Sequence, residues 1–285
     1  NIFINIVKQA QKYGMLNDEF FMDSTNRKAN ANKNKYEDQL VEQIKKVVEQ
    51  IKKRKLDLEE EINEERIKIG KKPFEFKVET ETKHIKVSKT DQESGYYHRD
   101  NKEKGFMYLE HRTVNGKCNI ITNANVTKGN LHDSVVCAER LEYQKKKLLL
   151  NVKKVGLDSG YDIYEIKKYF EDNDIFGVIQ YRSYGQGNTE IRKWQFSYFK
   201  EEDVYMCPKT GVILPYRNID KFGYKQYYDR KQCEGCPYQK QCCGKAKFRT
   251  IRRIICEEVN ERARERRLSK EGKELFKKRK TTVER

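Results

Sequence analysis

The chain has 285 residues and a formal net charge of +17, because 61 Lys and Arg outnumber 44 Asp and Glu. Charged residues make up 37% and hydrophobic residues 36%, yet apolar runs at 105–126, 152–158 and 175–180 suffice for a core. No run approaches the roughly 20 apolar residues that span a bilayer, and no signal-peptide pattern opens the chain, so we expect a cytoplasmic protein. The basic excess favours nucleic acid as a partner; a solvated basic surface without a partner is the alternative.

The first 72 residues contain two different patterns. Residues 3–16 predict a short amphipathic helix, and an apolar strand at Glu19–Met22 ends at Asp23. Residues 38–72 keep a heptad-like apolar spacing among ten basic and nine acidic residues. Because these charges almost cancel, the segment predicts a solvated helix or helical hairpin inserted into the core rather than a DNA-binding arm.

Residues 105–127 contain the clearest hairpin signal of the sequence. Two segments rich in β-branched and aromatic residues, GFMYLEHRTV and CNIITNANVT, flank the turn dipeptide Asn115-Gly116. Residues 130–134 then resemble a helix start, at which Asp133 is expected to act as a cap.

Helices and strands alternate after the hairpin. The predicted elements are a helix to about Leu150, a strand Val152–Leu157 ending at Asp158, a helix Tyr161–Phe170 and a strand Ile175–Gln180. This order predicts an α/β core whose strand ends collect functional groups.

The regular pattern stops between Tyr181 and about Gly244, where five cysteines lie, and residues 247–285 again predict helix. From Lys245 onward, sixteen basic residues face seven acidic ones, so the positive charge is concentrated near the carboxyl end. The predicted organisation is a catalytic core, a charged helical insert and a cysteine-rich insert. The core comprises residues 1–37, 73–180 and 246–285, and the inserts comprise 38–72 and 181–245.

Three acidic residues are the candidate catalytic groups. Asp23 and Asp158 each follow an apolar run, and Glu284 follows a basic stretch with helical spacing. Such carboxylates can hold two Mg²⁺ ions that activate a nucleophile and stabilise a leaving oxygen in phosphodiester chemistry. Asp162 is a weaker alternative for the second ligand, since it lies at an expected helix start. The structural alternative is that each acidic residue is an ordinary turn or cap residue.

Cysteines form a second candidate metal site. Cys207, Cys233, Cys236 and Cys242 have the spacing of a structural zinc site, and the adjacent Cys243 competes for the last place. Without metal, these thiols would be small buried hydrophobes.

Four residues outside this cluster carry weaker expectations. Cys118, Cys137 and Cys256 lie in strand or helix patterns and are expected to pack. Trp194 is expected to pack in the insert, with base stacking as the alternative.

Several strings resemble bacterial insertion-sequence transposases of the DDE type, in the branch with a cysteine-bearing insertion before the last catalytic helix. They are MDSTNRKANANKNK, GYYHRDNKEKGFMYLEHRTVNGKCNIITNANVTKGNLHDS, VGLDSGYDIYE and RKTTVER. The resemblance implies a ribonuclease-H-like mixed sheet flanked by helices, two Mg²⁺ or Mn²⁺ ions, and cleavage and strand transfer at transposon ends. It places the family's three catalytic carboxylates on Asp23, Asp158 and Glu284.

The resemblance also implies partners. We expect double-stranded DNA, both transposon ends and target, a homodimer for synapsis of two ends, and a bacterial nucleoid-associated location. The residues expected to bind phosphates are Arg27, Lys28, Arg279 and Lys280. Related transposases often carry Tyr and Arg where this chain has Lys277 and Lys280.

The ends of the chain leave two alternatives to an active transposase. Since it begins at Asn1 and ends one residue after Glu284, we expect a fragment of a longer protein. The alternatives are therefore a truncated remnant that binds DNA without catalysis and a related nuclease.

Overall fold

The computed structural model describes residues 2–43, 49–76, 81–98, 104–181 and 189–283. Its α-helices are α1 (Ile2–Lys12), α2 (Glu49–Lys68), α3 (Ser134–Lys147), α4 (Tyr164–Asp172), α5 (Arg230–Cys233), α6 (Gln239–Cys243), α7 (Glu257–Leu268) and α8 (Lys270–Thr282). Its strands are β1 (Glu19–Lys28), β2 (Tyr36–Gln43), β3 (Glu81–Ser88), β4 (Gly95–Tyr97), β5 (Gly105–Asn115), β6 (Ile121–Lys128), β7 (Lys154–Leu157), β8 (Phe176–Ile179), β9 (Ser197–Phe199), β10 (Val204–Met206), β11 (Ile213–Ile219), β12 (Tyr224–Tyr227) and β13 (Ile251–Ile254).

The chain forms two compact units. The first unit contains Asn1–Val48, Val78–Arg182 and Glu258–Arg285, and the second contains Glu49–Lys77 and Ser183–Glu257. The charged helix α2 therefore groups with the cysteine-rich segment. No helix in the described ranges is long and apolar enough to cross a membrane.

A mixed sheet is the centre of the first unit. Six described strands form it, in the order β4-β5-β1-β7-β8, with β6 also paired to β5. Strand β1 runs antiparallel to β5 and parallel to β7, and β7 runs parallel to β8. The predicted α/β class is confirmed, and the mixed sheet with its helices is consistent with a ribonuclease-H-like fold.

Alternation of side chains along β1 divides the core of the first unit between the two faces of the sheet. Phe20 and Met22 join the larger apolar cluster, whereas Phe21 packs with Leu275 of α8 on the other face. A Cβ at Gly156 would lie 2.8 Å from the Phe21 ring, so glycine in β7 permits this close packing. Asp23 follows Phe21 by two residues, which places its side chain on the α8 face.

The structure confirms the predicted hairpin and most of the alternating elements after it. β5 and β6 pair through Val114 and Ile121, and the five residues 116–120 connect them. α3, β7, α4 and β8 occupy the predicted segments. Strand β1, however, runs on to Lys28, so Asp23 lies inside a strand and not at its end.

The predicted helix over residues 38–72 is correct only in its later part. α2 covers Glu49–Lys68, but residues 38–43 belong to β2, which pairs antiparallel with β3. That pairing partner lies about forty residues further along the chain. Because the strand depends on so distant a partner, the local periodicity of residues 38–43 does not predict it. Ile44 and Val47, two of the apolar residues that give residues 38–72 their heptad-like spacing, lie outside the described residues.

A five-stranded antiparallel sheet is the centre of the second unit, in the order β13-β12-β11-β10-β9. The prediction of irregular structure between Tyr181 and Gly244 is therefore wrong, as is the prediction of helix at Ile251–Ile254. Tyrosines replace aliphatic residues in much of this core. Asp203 accepts hydrogen bonds from the hydroxyls of Tyr198 and Tyr227 at 2.8 and 2.6 Å. Four of these five strands contain tyrosine, and all but β11 are three or four residues long, which is too short for alternation to predict them.

Candidate active site

Asp23 is partly buried in the interior of β1. Its Oδ1 accepts a hydrogen bond from the backbone N–H of Ser24 at 2.9 Å, and its Oδ2 lies 3.4 Å from Nη2 of Arg279. Burial raises the pKa of Asp23, and the negative charges of Asp158 and Asp133 add to the rise. The Ser24 N–H and the Arg279 guanidinium oppose the rise without cancelling it.

Asp158 directly follows β7, the parallel neighbour of β1. Its Oδ1 accepts a hydrogen bond from the backbone N–H of Gly160 at 2.9 Å and so caps the 3₁₀ turn Ser159–Tyr161. Its charge contributes to the raised pKa of Asp23, which means that the two carboxylates lie within electrostatic reach of each other. The structure thus brings together two of the three predicted catalytic residues.

Glu284 lies outside the described residues. The helix before it, α8, ends at Thr282, and Leu275 packs this helix against Phe21 on the sheet face that includes Asp23. The buried Arg279 of the same helix faces Asp23. The described part of α8 is therefore directed at the same side of the sheet as Asp23.

Asp133 is the acidic residue whose placement the sequence analysis missed. Its side chain makes no capping hydrogen bond at the start of α3, so the expected cap role is wrong. Its Oδ2 lies 3.6 Å from the position that a Cβ on Gly160 would occupy, and Oδ1 of Asp158 lies 3.1 Å from the same position. The two carboxylates therefore flank one glycine. The missing information was the fold of the 3₁₀ turn, which no periodicity reveals.

Asp162, the alternative second ligand, has a different environment. Its Oδ1 lies 2.6 Å from Nζ of Lys167, and both side chains are only 14% exposed. Lys167 also donates to the Asn260 side chain at 2.9 Å. Asp162 is thus held in a local ion pair and is a weaker candidate for a metal ligand than Asp158.

The predicted phosphate-binding residues fall into two environments. Arg27 and Lys280 are exposed, and Arg27 pairs with Glu110 at 2.8 Å. Lys28 is exposed at the end of β1. Arg279 is only 2% exposed and faces Asp23. Binding of DNA phosphates by these four residues stays a prediction.

The carboxylates have the donor chemistry that Mg²⁺ and Mn²⁺ prefer, since each offers hard oxygen atoms. Within the described ranges, no three His, Cys, Asp or Glu side chains stand in an arrangement that could itself hold an ion. Two carboxylates supplemented by water fit Mg²⁺, which keeps several waters in protein sites. The residues therefore fit a divalent metal that is bound partly through water.

Five cysteines line one cavity of the second unit. They are Cys207, Cys233, Cys236, Cys242 and Cys243, and the apolar residues Ile191, Phe196, Val212 and Leu214 line the same cavity. Burial opposes ionisation of Cys207. Hydrogen bonds from the Thr210 side chain and from the backbone N–H groups of Lys209 and Thr210 outweigh that effect and lower its pKa. The lowered pKa favours the thiolate form of Cys207, although no three described Cys, His, Asp or Glu side chains, those of this cavity included, stand in an arrangement that could hold an ion.

The remaining cysteines and the tryptophan divide between core and surface. Cys137 and Cys256 are buried, as expected for packing residues, whereas Cys118 is exposed and that prediction is wrong. Trp194 is 75% exposed, so its expected packing role is also wrong.

Comparison with known proteins gives one family match. Residues 206–285 match a family described as "Transposase DDE domain". The match includes Glu284 but neither Asp23 nor Asp158. No curated protein and no solved structure matches the chain. The match covers less than a third of the chain and, of the four strings that carry the resemblance, includes only RKTTVER; with the mixed sheet of the first unit it supports a DDE-type transposase.

Proposed function

We propose that the chain is the catalytic domain of a DNA transposase that cleaves DNA at transposon ends and transfers the cut strands, using Mg²⁺ or Mn²⁺. The observation that carries this proposal is that Asp23 lies in β1 and Asp158 directly after the parallel neighbour β7, with Phe21 and Gly156, two residues before each, paired in register. Two carboxylates kept close together repel each other unless positive charge is added, and a divalent ion supplies that charge.

Each residue of the site has a distinct role in this proposal. Two bound ions would activate a water or a 3′-hydroxyl and stabilise the leaving oxygen. Asp23 and Asp158 would hold these ions, and Glu284 would be the third ligand. Ser24 N–H and Arg279 fix the two oxygens of Asp23, which orients that carboxylate before metal binds.

DNA binding would use the exposed basic residues of the first unit. Arg27, Lys28 and Lys280 offer side chains at the surface, and neutralising phosphates with them releases counterions from double-stranded DNA. We further expect a homodimer, because synapsis brings two transposon ends together, and a cytoplasmic, nucleoid-associated location.

A structural zinc ion completes the proposal. Cys207, Cys233 and Cys236 would supply three thiolates, and either Cys242 or Cys243 the fourth. The shared cavity supports this role, but no three of the described Cys, His, Asp or Glu side chains already stand in an ion-holding arrangement, so the thiols would have to rearrange to bind the ion. Cys242 and Cys243 remain alternatives because both line the cavity and both have raised pKa values from burial.

Substitution of Asp158 by Asn tests the catalytic proposal, with Asp162→Asn as the matched control from the same turn. The assays are nicking of supercoiled plasmid with Mn²⁺, joining of a labelled 3′-hydroxyl oligonucleotide to plasmid, and fluorescence anisotropy of duplex DNA. We expect Asp158→Asn to lower nicking by at least about 10³-fold with unchanged anisotropy, and Asp162→Asn to retain both.

Three other results would contradict the proposal. Nicking without joined products would indicate a nuclease. Binding by the unsubstituted chain without nicking would indicate a DNA-binding remnant. Equal nicking by Asp158→Asn and the unsubstituted chain would exclude the carboxylate from the chemistry.

A further inference from the structure

A third carboxylate, that of Asp133, lies close to Asp158, one of the two aspartates of the proposed metal site. Asp133 Oδ2 and Asp158 Oδ1 lie 3.6 and 3.1 Å from the same point above Gly160. A side chain on residue 160 would enter this space, so glycine keeps it open. Asp133 comes from the start of α3 and Asp158 from the end of β7, which are separated in sequence and joined by the fold.

The negative charge of Asp133 affects the pKa values of two other groups, Asp23 and His111. It opposes ionisation of Asp23 in the same direction as Asp158 does. It also favours the charged form of His111, a buried residue of β5. Burial nevertheless keeps the His111 pKa below its ordinary value, so this imidazole is a poor source of compensating charge. Positive charge reaches the cluster from Arg279, which opposes the rise in the Asp23 pKa.

A second observation at this place is a buried hydroxyl. The Tyr161 side chain is 0% exposed, and its hydroxyl has no hydrogen-bond partner among the residues that the structure describes. Leaving a buried hydroxyl unsatisfied costs about 1–3 kcal/mol, so such a group points to a ligand or a water. Burial is the main cause that raises the Tyr161 pKa, and the charges of Cys137, its neighbour in the larger apolar cluster, and then of Asp133, Asp158 and Asp23 add to it. The hydroxyl therefore lies within electrostatic reach of all three carboxylates.

We propose that Asp133 and the Tyr161 hydroxyl hold water molecules of the divalent cation bound by Asp23 and Asp158. The inference rests on the proposed function, because it requires that metal site. A water-mediated role agrees with the absence of a three-residue ion-holding group in the described ranges. It also agrees with the tendency of Mg²⁺ to keep several waters and bind only one or two carboxylates directly.

The competing explanation is that Asp133 only stabilises the positive end of the α3 dipole. The two explanations predict opposite effects on the metal-free protein. If Asp133 belongs to a cluster of like charges, Asp133→Asn should leave the metal-free melting temperature unchanged or higher. If Asp133 serves only the helix, the same substitution should lower it.

The experiment is Mn²⁺ titration, by calorimetry and by electron paramagnetic resonance of free Mn²⁺, combined with thermal unfolding with and without Mn²⁺. The variants are Asp133→Asn, Tyr161→Phe and Asp158→Asn, with Asp162→Asn as the control whose charge is already paired. We expect Asp133→Asn to weaken Mn²⁺ binding by about 10- to 100-fold and to reduce the Mn²⁺-induced rise in melting temperature. Tyr161→Phe should weaken binding less, and Asp162→Asn should bind as the unsubstituted chain does.

Two results would overturn the inference, and they are distinguishable. If Asp158→Asn loses Mn²⁺ binding while Asp133→Asn retains it, Asp133 is not part of the site and the proposed function is unaffected. If Asp158→Asn, Asp133→Asn and the unsubstituted chain all bind Mn²⁺ alike, the proposed metal site itself fails. Unfolding of each variant without metal shows whether a loss of binding comes from a loss of fold.

Discussion

The two units assemble their candidate metal ligands in different ways. In the first unit, pairing of β1 with β7 brings together carboxylates that are far apart in sequence. In the second, four of the five cysteines lie within or next to the short helices α5 and α6, and the loop after β10 supplies Cys207. The carboxylates lie on a formed sheet with its own apolar core, whereas the thiols line a small cavity. We therefore expect metal at the carboxylates to serve function and metal at the cysteines to serve stability.

The largest expected effect is the loss of zinc in Cys233→Ser. Binding of structural zinc is coupled to folding, so this variant should lose the ion and at least about 3 kcal/mol of stability. Metal analysis and the thiolate absorption of the Co²⁺-substituted protein measure the loss, and calorimetry measures unfolding. Cys118→Ser is the control, because that cysteine is exposed and remote in sequence from the cluster.

Two further variants identify the fourth cysteine ligand of the proposed zinc site. Of Cys242→Ser and Cys243→Ser, only the variant that removes a ligand should release the metal. If the protein purified without chelators contains no zinc and binds no Co²⁺, the five thiols are packing residues, and the contrast between the units disappears.

Glu171 in the first unit is a carboxylate that serves stability, and it can be compared with the carboxylates proposed to bind metal. Glu171 of α4 accepts hydrogen bonds from Arg262 of α7 at 2.9 and 2.7 Å, and Arg266 lies 3.3 Å away. The hydrogen bond from Arg262 is the main cause that lowers the Glu171 pKa, and burial opposes it. Glu171→Gln should therefore destabilise the fold at neutral pH by about 1–2 kcal/mol.

The pH dependence of this effect has a definite sign. Because the folded-state pKa of Glu171 is lowered, its stabilisation is complete above the unfolded value near 4.5 and is lost as pH falls through the folded value. The difference in free energy of unfolding between Glu171→Gln and the unsubstituted chain should be largest at pH 7 and should shrink below about pH 4.5. Chemical unfolding at several pH values measures it. A constant difference down to pH 3 would contradict the ion-pair explanation.

The sequence predicts the parts of the fold that rest on local pattern. The hairpin of β5 and β6 and the strand before Asp158 follow from apolar runs with β-branched residues, but the predicted two-residue turn at Asn115-Gly116 is wrong, since Asn115 belongs to β5 and five residues connect the strands. Two other features depend on partners distant in sequence: the pairing of β2 with β3, and the Tyr-rich sheet organised around Asp203. Local periodicity carries no information about either.

The candidate site shows the same limit. Asp158 could be proposed from the sequence because it follows a strand, and Asp23 because it follows the apolar residues of β1. Asp133 could not, because its relation to Asp158 depends on the turn at Gly160. The resemblance to DDE transposases names three carboxylates and leaves Asp133 as an ordinary helix-start residue. Only the folded chain shows that Asp133 Oδ2 and Asp158 Oδ1 approach the same point above Gly160, at 3.6 and 3.1 Å.

The smallest expected effect has the opposite sign to that of Glu171. Burial raises the Asp23 pKa above its ordinary value of 3.8, and the adjacent Arg279 does not cancel the rise. A raised folded-state pKa means that the contribution to stability is present below the unfolded pKa and is lost as pH rises through the folded pKa. Ionised Asp23 therefore weakens the fold at neutral pH. Asp23→Asn should be more stable than the unsubstituted chain at pH 7 by up to about 1 kcal/mol, which is roughly 2–4 °C in Tm.

With Mn²⁺ added, the unsubstituted chain should become more stable than Asp23→Asn, because the ion stabilises the folded state that binds it and Asp23→Asn lacks a ligand. The measurement is thermal unfolding at pH 4 and pH 7, with and without Mn²⁺. The metal-free difference in stability should shrink as pH falls through the raised pKa of Asp23 towards the ordinary value of 3.8. Lower stability of Asp23→Asn at pH 7 without metal would show that pairing with Arg279 dominates, and that Asp23 is a structural carboxylate like Glu171. A stabilising substitution that removes metal binding is what distinguishes a carboxylate kept for function from one kept for stability.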